Sequence, residues 1–188
     1  MKELILASGS PRRKELLERE NIPFRCIVSD ADENAYGDVR EVVRTLAGRK
    51  AHAVAGGLRN CIVLGADTLV ELGGEALEKP IDEADARDML ARLSGNCHNV
   101  HTGVCLIDAD TGKEEYGVCT SRVFFRILSQ KDIDEYIDSG EYIGKAGSYA
   151  IQMSGGRFVE RYEGDYDNIV GLPVTMVKEM LLRFDAAI

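Results

Sequence analysis

The chain has 188 residues, of which 45% are hydrophobic, and a formal net charge of −9. This length and composition fit one globular domain, which we expect to span residues 1–188. The negative charge would repel a nucleic-acid backbone, and few aromatic residues are available for base stacking, so we exclude a nucleic-acid polymer as partner. Neither a membrane-length apolar run nor a signal-peptide pattern is present, and we therefore expect a cytoplasmic protein with no membrane partner.

The cysteines and histidines form neither a disulfide pattern nor a zinc pattern. The five cysteines are widely spaced, with no Cys-x-x-Cys pair, which argues against a disulfide framework and against a zinc knuckle. His98 and His101 are three residues apart in a predicted strand, so their side chains should point to opposite faces of the sheet. We therefore expect no zinc site, and we interpret His98 as a hydrogen-bonded structural residue.

Apolar periodicity in the first half of the chain predicts strands and helices in irregular alternation. Ser10 lies at the expected N-cap of the first helix, and Pro11 takes the first helical position, where its missing N–H costs nothing. An acidic segment, SDADENAYGD, follows the second strand and is too polar to be core. In chain order, we predict a strand at 4–8, a helix at 11–20, a strand at 24–29, a helix at 38–55, strands at 61–72 and 75–79, and a helix at 82–93.

The second half opens with a long predicted hairpin around the turn ADTGK. Ser129 and Asp132 form the capping-box pattern of a helix start. We predict hairpin strands at 99–108 and 115–128, a helix at 129–138, a loop at 147–152, a strand at 157–164, and a final helix from Pro173. This arrangement indicates the α/β class, with a mixed sheet flanked by helices.

The segment LASGSPRR carries the first candidate binding site. A strand that runs through a Gly/Ser loop into a helix directs free backbone N–H groups to one point, where the helix dipole favours an anion. Ser8 and Ser10 supply hydroxyl groups there, and Arg12 and Arg13 supply planar donors suited to phosphate oxygens. The alternative is that Ser10 only caps the helix and that both arginines are solvated.

Asp67 is the second candidate, because it interrupts an otherwise apolar strand. A buried carboxylate without a partner is costly, so either its side chain turns into a cleft or the strand ends there. Such carboxylates bind Mg²⁺ and activate water, while the alternative is an aspartate that caps a turn. Lys50 and Lys79 would bind phosphate in the same cleft, and the amide of Gln152 would read a base edge. Taken alone, each of these three is typical of the surface.

Together, these segments resemble the Maf family of nucleoside triphosphate pyrophosphatases. The matching motifs are LASGSPRR, GADTLV, LEKP, LSGNCHNVHTGV, KAGSYAIQ and VGLP, which follow the family's order and spacing over essentially the whole chain. The resemblance implies an elongated fold similar to that of inosine triphosphatases, with two lobes and a central cleft. It also implies hydrolysis of nucleoside triphosphates to the monophosphate and pyrophosphate with a divalent metal, Mg²⁺ or Mn²⁺. It is compatible with a homodimer.

The resemblance assigns roles to single positions. Asp67 matches the catalytic acid/base, and Glu33 matches an acidic-loop glutamate that holds the metal or the water together with it. The family's phosphate-binding positions correspond to Ser8, Arg13, Lys50 and Lys79.

Three further matches concern the base of the nucleotide. Arg12, Thr68 and Gln152 are similar to the branch of the family that acts on dTTP and UTP, and we expect them to bind the substrate and set its specificity. The sister branch, which prefers 7-methyl-GTP, has an aromatic residue, a glutamine and a glutamate there. CTP and modified pyrimidine triphosphates stay open as further substrates. Gly48 departs from a good helix sequence, at a cost of about 1 kcal/mol relative to alanine.

The hypothesis for the reaction is attack of water on the α-phosphorus, with Asp67 and Glu33 orienting and deprotonating the water. The alternative, from another functional class, is a nucleotide-sensing regulator that binds a triphosphate without turning it over, since the family has been linked to septum formation. A carboxylate among phosphate-binding cations would repel the ligand of such a regulator unless a metal or water lies between them. This consideration favours the enzyme.

Overall fold

The computed structural model describes residues 2–184, and seven strands within them form one sheet. The strands are β1 (Glu3–Leu6), β2 (Arg25–Cys26), β3 (Cys61–Leu72), β4 (Glu75–Leu77), β5 (Cys97–Asp108), β6 (Glu114–Phe125) and β7 (Val159–Glu163). Their order is β2-β1-β3-β5-β6-β7, with β4 paired to β3 outside this path. β1 is parallel to β2 and β3, and all other pairs are antiparallel, so the predicted mixed sheet is confirmed.

Helices flank this sheet, and most begin close to the predicted residues. They are α1 (Pro11–Arg19), α2 (Val39–Ala55), α3 (Glu83–Leu93), α4 (Gln130–Asp138), α5 (Tyr166–Val170) and α6 (Val174–Leu181). The capping box of α4 is present, with Ser129 and Asp132 bonded reciprocally. Ser10 is the N-cap of α1 as expected, although its hydroxyl makes no capping hydrogen bond. None of the helices within residues 2–184 is long and apolar enough to cross a membrane.

One predicted strand is much shorter than expected, and one helix was not predicted. The strand predicted at 24–29 is reduced to the two residues of β2, because only Arg25 and Cys26 pair in register with β1, and the chain leaves β1 after a last hydrogen bond from the N–H of Ile27 to the carbonyl oxygen of Leu6. The short helix α5 was not predicted, since its five residues are too few to show a helical period. Its start is fixed by Asp165, whose carboxylate accepts hydrogen bonds from the backbone N–H groups of Asp167 and Asn168.

One edge of β3 changes its partner partway along the strand. β1 pairs with Cys61–Leu64, and β4 pairs with Val70–Leu72, while β5 covers the other edge from Ile62 to Glu71. Residues 65–69 therefore have no strand beside them on the first edge. One of the two larger hydrophobic cores includes Ile62, Leu64 and Ala66 of β3 and the other includes Val70, in agreement with the expected two lobes.

The helix α2 lies unusually close to the sheet at this break. A Cβ added to Gly65 would lie 2.2 Å from the carbonyl oxygen of Ala47, and one added to Gly103 would lie 2.2 Å from that of Val43. The two glycines therefore let the backbone of α2 rest directly on β3 and β5, as small residues do at close crossings. Because Lys50 is a residue of α2, this contact sets the distance between Lys50 and the sheet.

Gly48 on the same helix has a packing reason of its own. A Cβ at this position would lie 2.8 Å from Cε1 of Tyr116, so the ring of Tyr116 on β6 lies against the helix where the side chain is missing. This contact accounts for a residue of poor helix propensity inside α2.

We expect Gly65→Ala to push α2 away from the sheet and to lower the free energy of unfolding by about 1–3 kcal/mol, because the added methyl group meets backbone atoms that cannot rotate away. Urea denaturation monitored by circular dichroism measures the change. Gly56→Ala is the matched control, since the nearest atom to its added Cβ is 4.0 Å away. Equal stability of the two variants would contradict the close approach of α2.

Candidate active site

A cavity of about 700 Å³ opens at the break in the edge of β3. It collects residues from β3, from the β1–α1 turn, from α2 and from the segments around residues 33, 79 and 144–153. All nine residues proposed from the sequence line it, namely Ser8, Arg12, Arg13, Glu33, Lys50, Asp67, Thr68, Lys79 and Gln152. The structure thus brings together positions that are up to 144 residues apart in the chain.

Asp67 and Glu33 share the ammonium group of Lys50. Lys50 Nζ lies 2.6 Å from Oδ1 of Asp67 and 2.8 Å from Oε1 of Glu33. The other oxygen of Glu33 accepts a hydrogen bond of 3.2 Å from Lys79 Nζ. Asp67 is only 8% exposed, so its charge is balanced mainly by Lys50. The strand continues past Asp67, which rules out the alternative that β3 ends there.

The shared lysine also sets the protonation state of Glu33. The hydrogen bond from Lys50 lowers the pKa of Glu33 to about 2, and Lys79 acts in the same direction with a smaller effect. Glu33 is therefore ionised at neutral pH, and each of its oxygens, although bonded to a lysine, has a further lone pair for a cation or for water. This environment differs from that of a carboxyl group that carries a proton for donation.

Arg13 is buried, and only neutral groups hold its guanidinium. Nε donates to the carbonyl oxygen of Gly171 at 2.8 Å, Nη1 to the hydroxyl of Ser8 at 3.2 Å, and Nη2 to the hydroxyl of Thr68 at 3.1 Å. Within residues 2–184 no carboxylate forms an ion pair with it, and it is 9% exposed. The alternative of a solvated Arg13 is therefore wrong. Its orientation is fixed while its charge stays available to an anion.

Thr68 accepts a hydrogen bond from Arg13 and is itself held by a chain of hydrogen bonds. The hydroxyl oxygens of Thr68 and Thr102 lie 2.9 Å apart, and Thr102 donates in turn to the backbone carbonyl of Asn168 at 3.1 Å. The side chain of Thr68 is thus engaged with the protein, although the residue also lines the cavity. This arrangement was not foreseen, because Thr102 and Asn168 have no local sequence signal that links them to position 68.

Gln152, Arg12 and Lys145 lie in another group of cavity residues. The Gln152 amide donates to Glu15 at 3.4 Å, and burial lowers the pKa of Arg12. Lys145, which sequence reasoning did not single out, lines the same cavity and is partly buried. Its only signal in the sequence is its place in the motif KAGSYAIQ, seven residues before Gln152.

The two strand histidines have structural partners. His98 Nε2 lies 2.8 Å from the hydroxyl of Tyr149, and burial lowers the pKa of His98 to about 3, so the ring is neutral. His101 contacts Glu71 and Thr120 on the opposite face of β5, at 2.6 and 2.8 Å. These contacts agree with the prediction that the two side chains diverge.

The carboxylates in the cavity fit a hard, oxygen-binding cation. No group of three histidine, cysteine, aspartate or glutamate side chains in the described part of the chain is placed to hold a metal. Asp67 and Glu33 nevertheless converge on one positive centre, the ammonium of Lys50. One or two carboxylates, completed by water and substrate phosphates, are the usual protein contribution to an Mg²⁺ site.

Known proteins related to this chain share nearly its whole length. A family model described as Maf-like protein matches residues 3–184. The chain is 45% identical over 186 residues to the dTTP/UTP pyrophosphatase of Pelotomaculum thermopropionicum, covering 98% of this chain and 97% of that protein. It is 46% identical over 188 residues to the dTTP/UTP pyrophosphatase of Bacillus cytotoxicus, covering 99% of this chain and 97% of that protein.

We expect Lys50→Met to raise the pKa of Glu33 from about 2 toward its ordinary value of 4.5, because the largest stabilising contact of the carboxylate is removed. The side-chain carboxyl carbon shift of Glu33, followed by NMR during a pH titration, measures this change. Lys131→Met is the matched control, since Lys131 is exposed on α4 and, among residues 2–184, forms an ion pair with Glu135 alone. An unchanged Glu33 titration in Lys50→Met would contradict the shared-lysine geometry.

Proposed function

The chain belongs to the Maf family, and from this premise we propose that it is a pyrophosphatase that hydrolyses dTTP and UTP to the monophosphate and pyrophosphate. The observation that carries the proposal is that one cavity is lined both by Asp67 and by arginine, lysine and serine side chains, which are the kinds that bind phosphate. Relatives that are 45–46% identical over nearly the whole chain, and that are named dTTP/UTP pyrophosphatase, support the choice of substrates.

In the proposed reaction, water attacks the α-phosphorus of the bound triphosphate. A bond forms between the water oxygen and the α-phosphorus, and the bond from this phosphorus to the oxygen bridging to the β-phosphorus breaks. Asp67 accepts the proton of the attacking water, and pyrophosphate leaves with the bridging oxygen. The reaction asks the protein chiefly for positioning and for charge stabilisation, so no serine or cysteine nucleophile is required.

The cations of the cavity carry the second part of the mechanism. Arg13, with its guanidinium held rigidly by neutral groups, binds phosphate oxygens without first having to leave a carboxylate. Lys50 and Lys79 neutralise negative charge on the leaving pyrophosphate, and Ser8 adds a hydroxyl donor beside Arg13. Because Arg13 is already oriented, little side-chain entropy is lost when the substrate binds.

Asp67 and Glu33 are the residues that would hold a divalent cation. When bound, Mg²⁺ or Mn²⁺ would neutralise phosphate charge and lower the pKa of a coordinated water. Lys50 lowers the pKa of Glu33 to about 2, so this carboxylate is in the protonation state that a hard cation requires.

Arg12, Thr68 and Gln152 set the choice of base in this proposal. The amide of Gln152 offers both a donor and an acceptor to a uracil or thymine edge, and Arg12 offers donors to a carbonyl oxygen. Thr68 acts through Arg13, because its hydroxyl accepts a hydrogen bond from that guanidinium. Thr68 therefore links the part of the cavity proposed to bind the base, near Arg12 and Gln152, with the part proposed to bind phosphate, near Arg13. We call these two parts the base end and the phosphate end.

We expect Asp67→Asn to reduce the turnover number for UTP and dTTP by about 10²–10⁴, because the amide cannot accept the proton of the water. Release of pyrophosphate and of monophosphate, assayed with Mg²⁺ or Mn²⁺, measures the loss, and thermal unfolding checks that the variant is folded. Asp138→Asn, at the exposed end of α4, is the matched control. Near-wild-type turnover in Asp67→Asn would refute the role of Asp67. A wild-type protein that binds UTP without releasing product would instead indicate a nucleotide-sensing regulator.

A further inference from the structure

We propose that Lys145 is an additional substrate-binding residue which, beside Arg12, favours uracil and thymine over cytosine. This inference rests on the proposed function. It adds Lys145 to the residues at the base end of the cavity, beyond the three specificity positions Arg12, Thr68 and Gln152.

Among the described residues, Lys145 is a cation of the cavity that forms no ion pair, although the carboxylate of Glu141 is near enough to act on its pKa. Within residues 2–184, the cavity's ion pairs engage Lys50 and Lys79, and both of these lysines are bound to Glu33. Lys145 takes part in no ion pair in this range, and its ammonium group donates only to the carbonyl oxygen of Ile143, at 3.3 Å. A partly buried ammonium group with only one long hydrogen bond of this kind has further N–H donors for a ligand.

The backbone around Lys145 is fixed against the hairpin of β3 and β4. The N–H of Gly147 donates to the carbonyl oxygen of Glu78 at 3.1 Å, and a Cβ on Gly147 would lie 2.9 Å from a methyl group of Val70. Gly147 has a φ of +64°, which favours glycine at this contact. The stem of Lys145 therefore starts from an anchored turn, so the ammonium group can be directed at a bound ligand at low entropic cost.

The neighbours of Lys145 place it toward the base end of the cavity. Burial is the larger cause that lowers the pKa of Lys145, the charge of Arg12 lowers it further, and the carboxylate of Glu141 acts in the opposite direction. Arg12 acts on the pKa of both Lys145 and Arg13, whereas Asp67 and Glu33 act on that of Arg13 and are not among the causes for Lys145. Gln152 is on the same segment as Lys145, and Lys145, Arg12 and Gln152 all line the cavity, with Glu15 and Glu141 rather than Asp67 and Glu33 as the carboxylates that act on them.

Donor chemistry decides which base such a group prefers. Lysine and arginine side chains only donate hydrogen bonds, so two of them side by side require acceptors from the ligand. Uracil and thymine carry two carbonyl oxygens, whereas cytosine carries an amino group, itself a donor, in place of one of them. A cytosine amino group facing Lys145 or Arg12 would leave buried donors unpaired, which is costly.

The test compares kcat/KM for UTP and CTP in wild type, Lys145→Met and Lys145→Arg. We expect Lys145→Met to lower kcat/KM for UTP by about 10- to 100-fold and that for CTP by less than about threefold, so that the preference for UTP falls. Lys145→Arg keeps the charge and the donors, and it should recover most of the preference. Lys131→Met is the matched control and should leave both values unchanged.

Other outcomes would overturn the inference. Equal losses for UTP and CTP would mean that Lys145 contacts phosphate, and no loss for either would mean that it does not touch the substrate. Dissociation constants for UTP and CTP, measured calorimetrically without added metal, separate this inference from the proposed function. A wild type that binds both nucleotides but releases no pyrophosphate would refute the proposed function, while the two constants would still test Lys145. Failure of the wild type to bind either nucleotide without metal, together with no release of product when Mg²⁺ or Mn²⁺ is added, would refute both.

Discussion

The contact between Asp67 and Lys50 is the interaction on which the site depends. It joins the middle of β3 to the middle of α2 across 2.6 Å, and it is possible only because α2 rests on the backbone of the sheet at Gly65 and Gly103. A carboxylate on an exposed strand edge would be solvated, and a buried one without a partner would be costly. The lysine thus allows a negative charge to remain in the cavity.

The cations of the cavity fall into two groups with different electrostatic states. Lys50 and Lys79 are neutralised by carboxylates, whereas Arg13 and Lys145 are held by neutral groups. A triphosphate therefore meets unneutralised positive charge even though the chain carries a formal net charge of −9. Screening at physiological salt limits the repulsion from distant acidic residues to about 8 Å, so the local arrangement decides the binding.

The sequence was sufficient where a signal lies within one segment. The bounds of β3 and the capping box at Ser129 were predicted because alternation and capping are local patterns. The convergence of nine residues on one cavity has no such local signal, and it was expected only from the family resemblance of several motifs in order. The resemblance gave no geometry, however, and the support of Arg13 by Thr68 and Thr102 became visible only in the fold. Lys145 was overlooked for the same reason, since only tertiary contacts distinguish it from a surface lysine.

The most direct test of the account is hydrolysis of UTP by the wild-type protein in H₂¹⁸O, with the products analysed by mass spectrometry. The central claim is that the cavity directs water to the α-phosphorus. It predicts that the label enters the nucleoside monophosphate and that the released pyrophosphate stays unlabelled. Label in the pyrophosphate would mean attack on the β-phosphorus, and the assigned roles of Asp67 and of the cations on the leaving group would then be wrong.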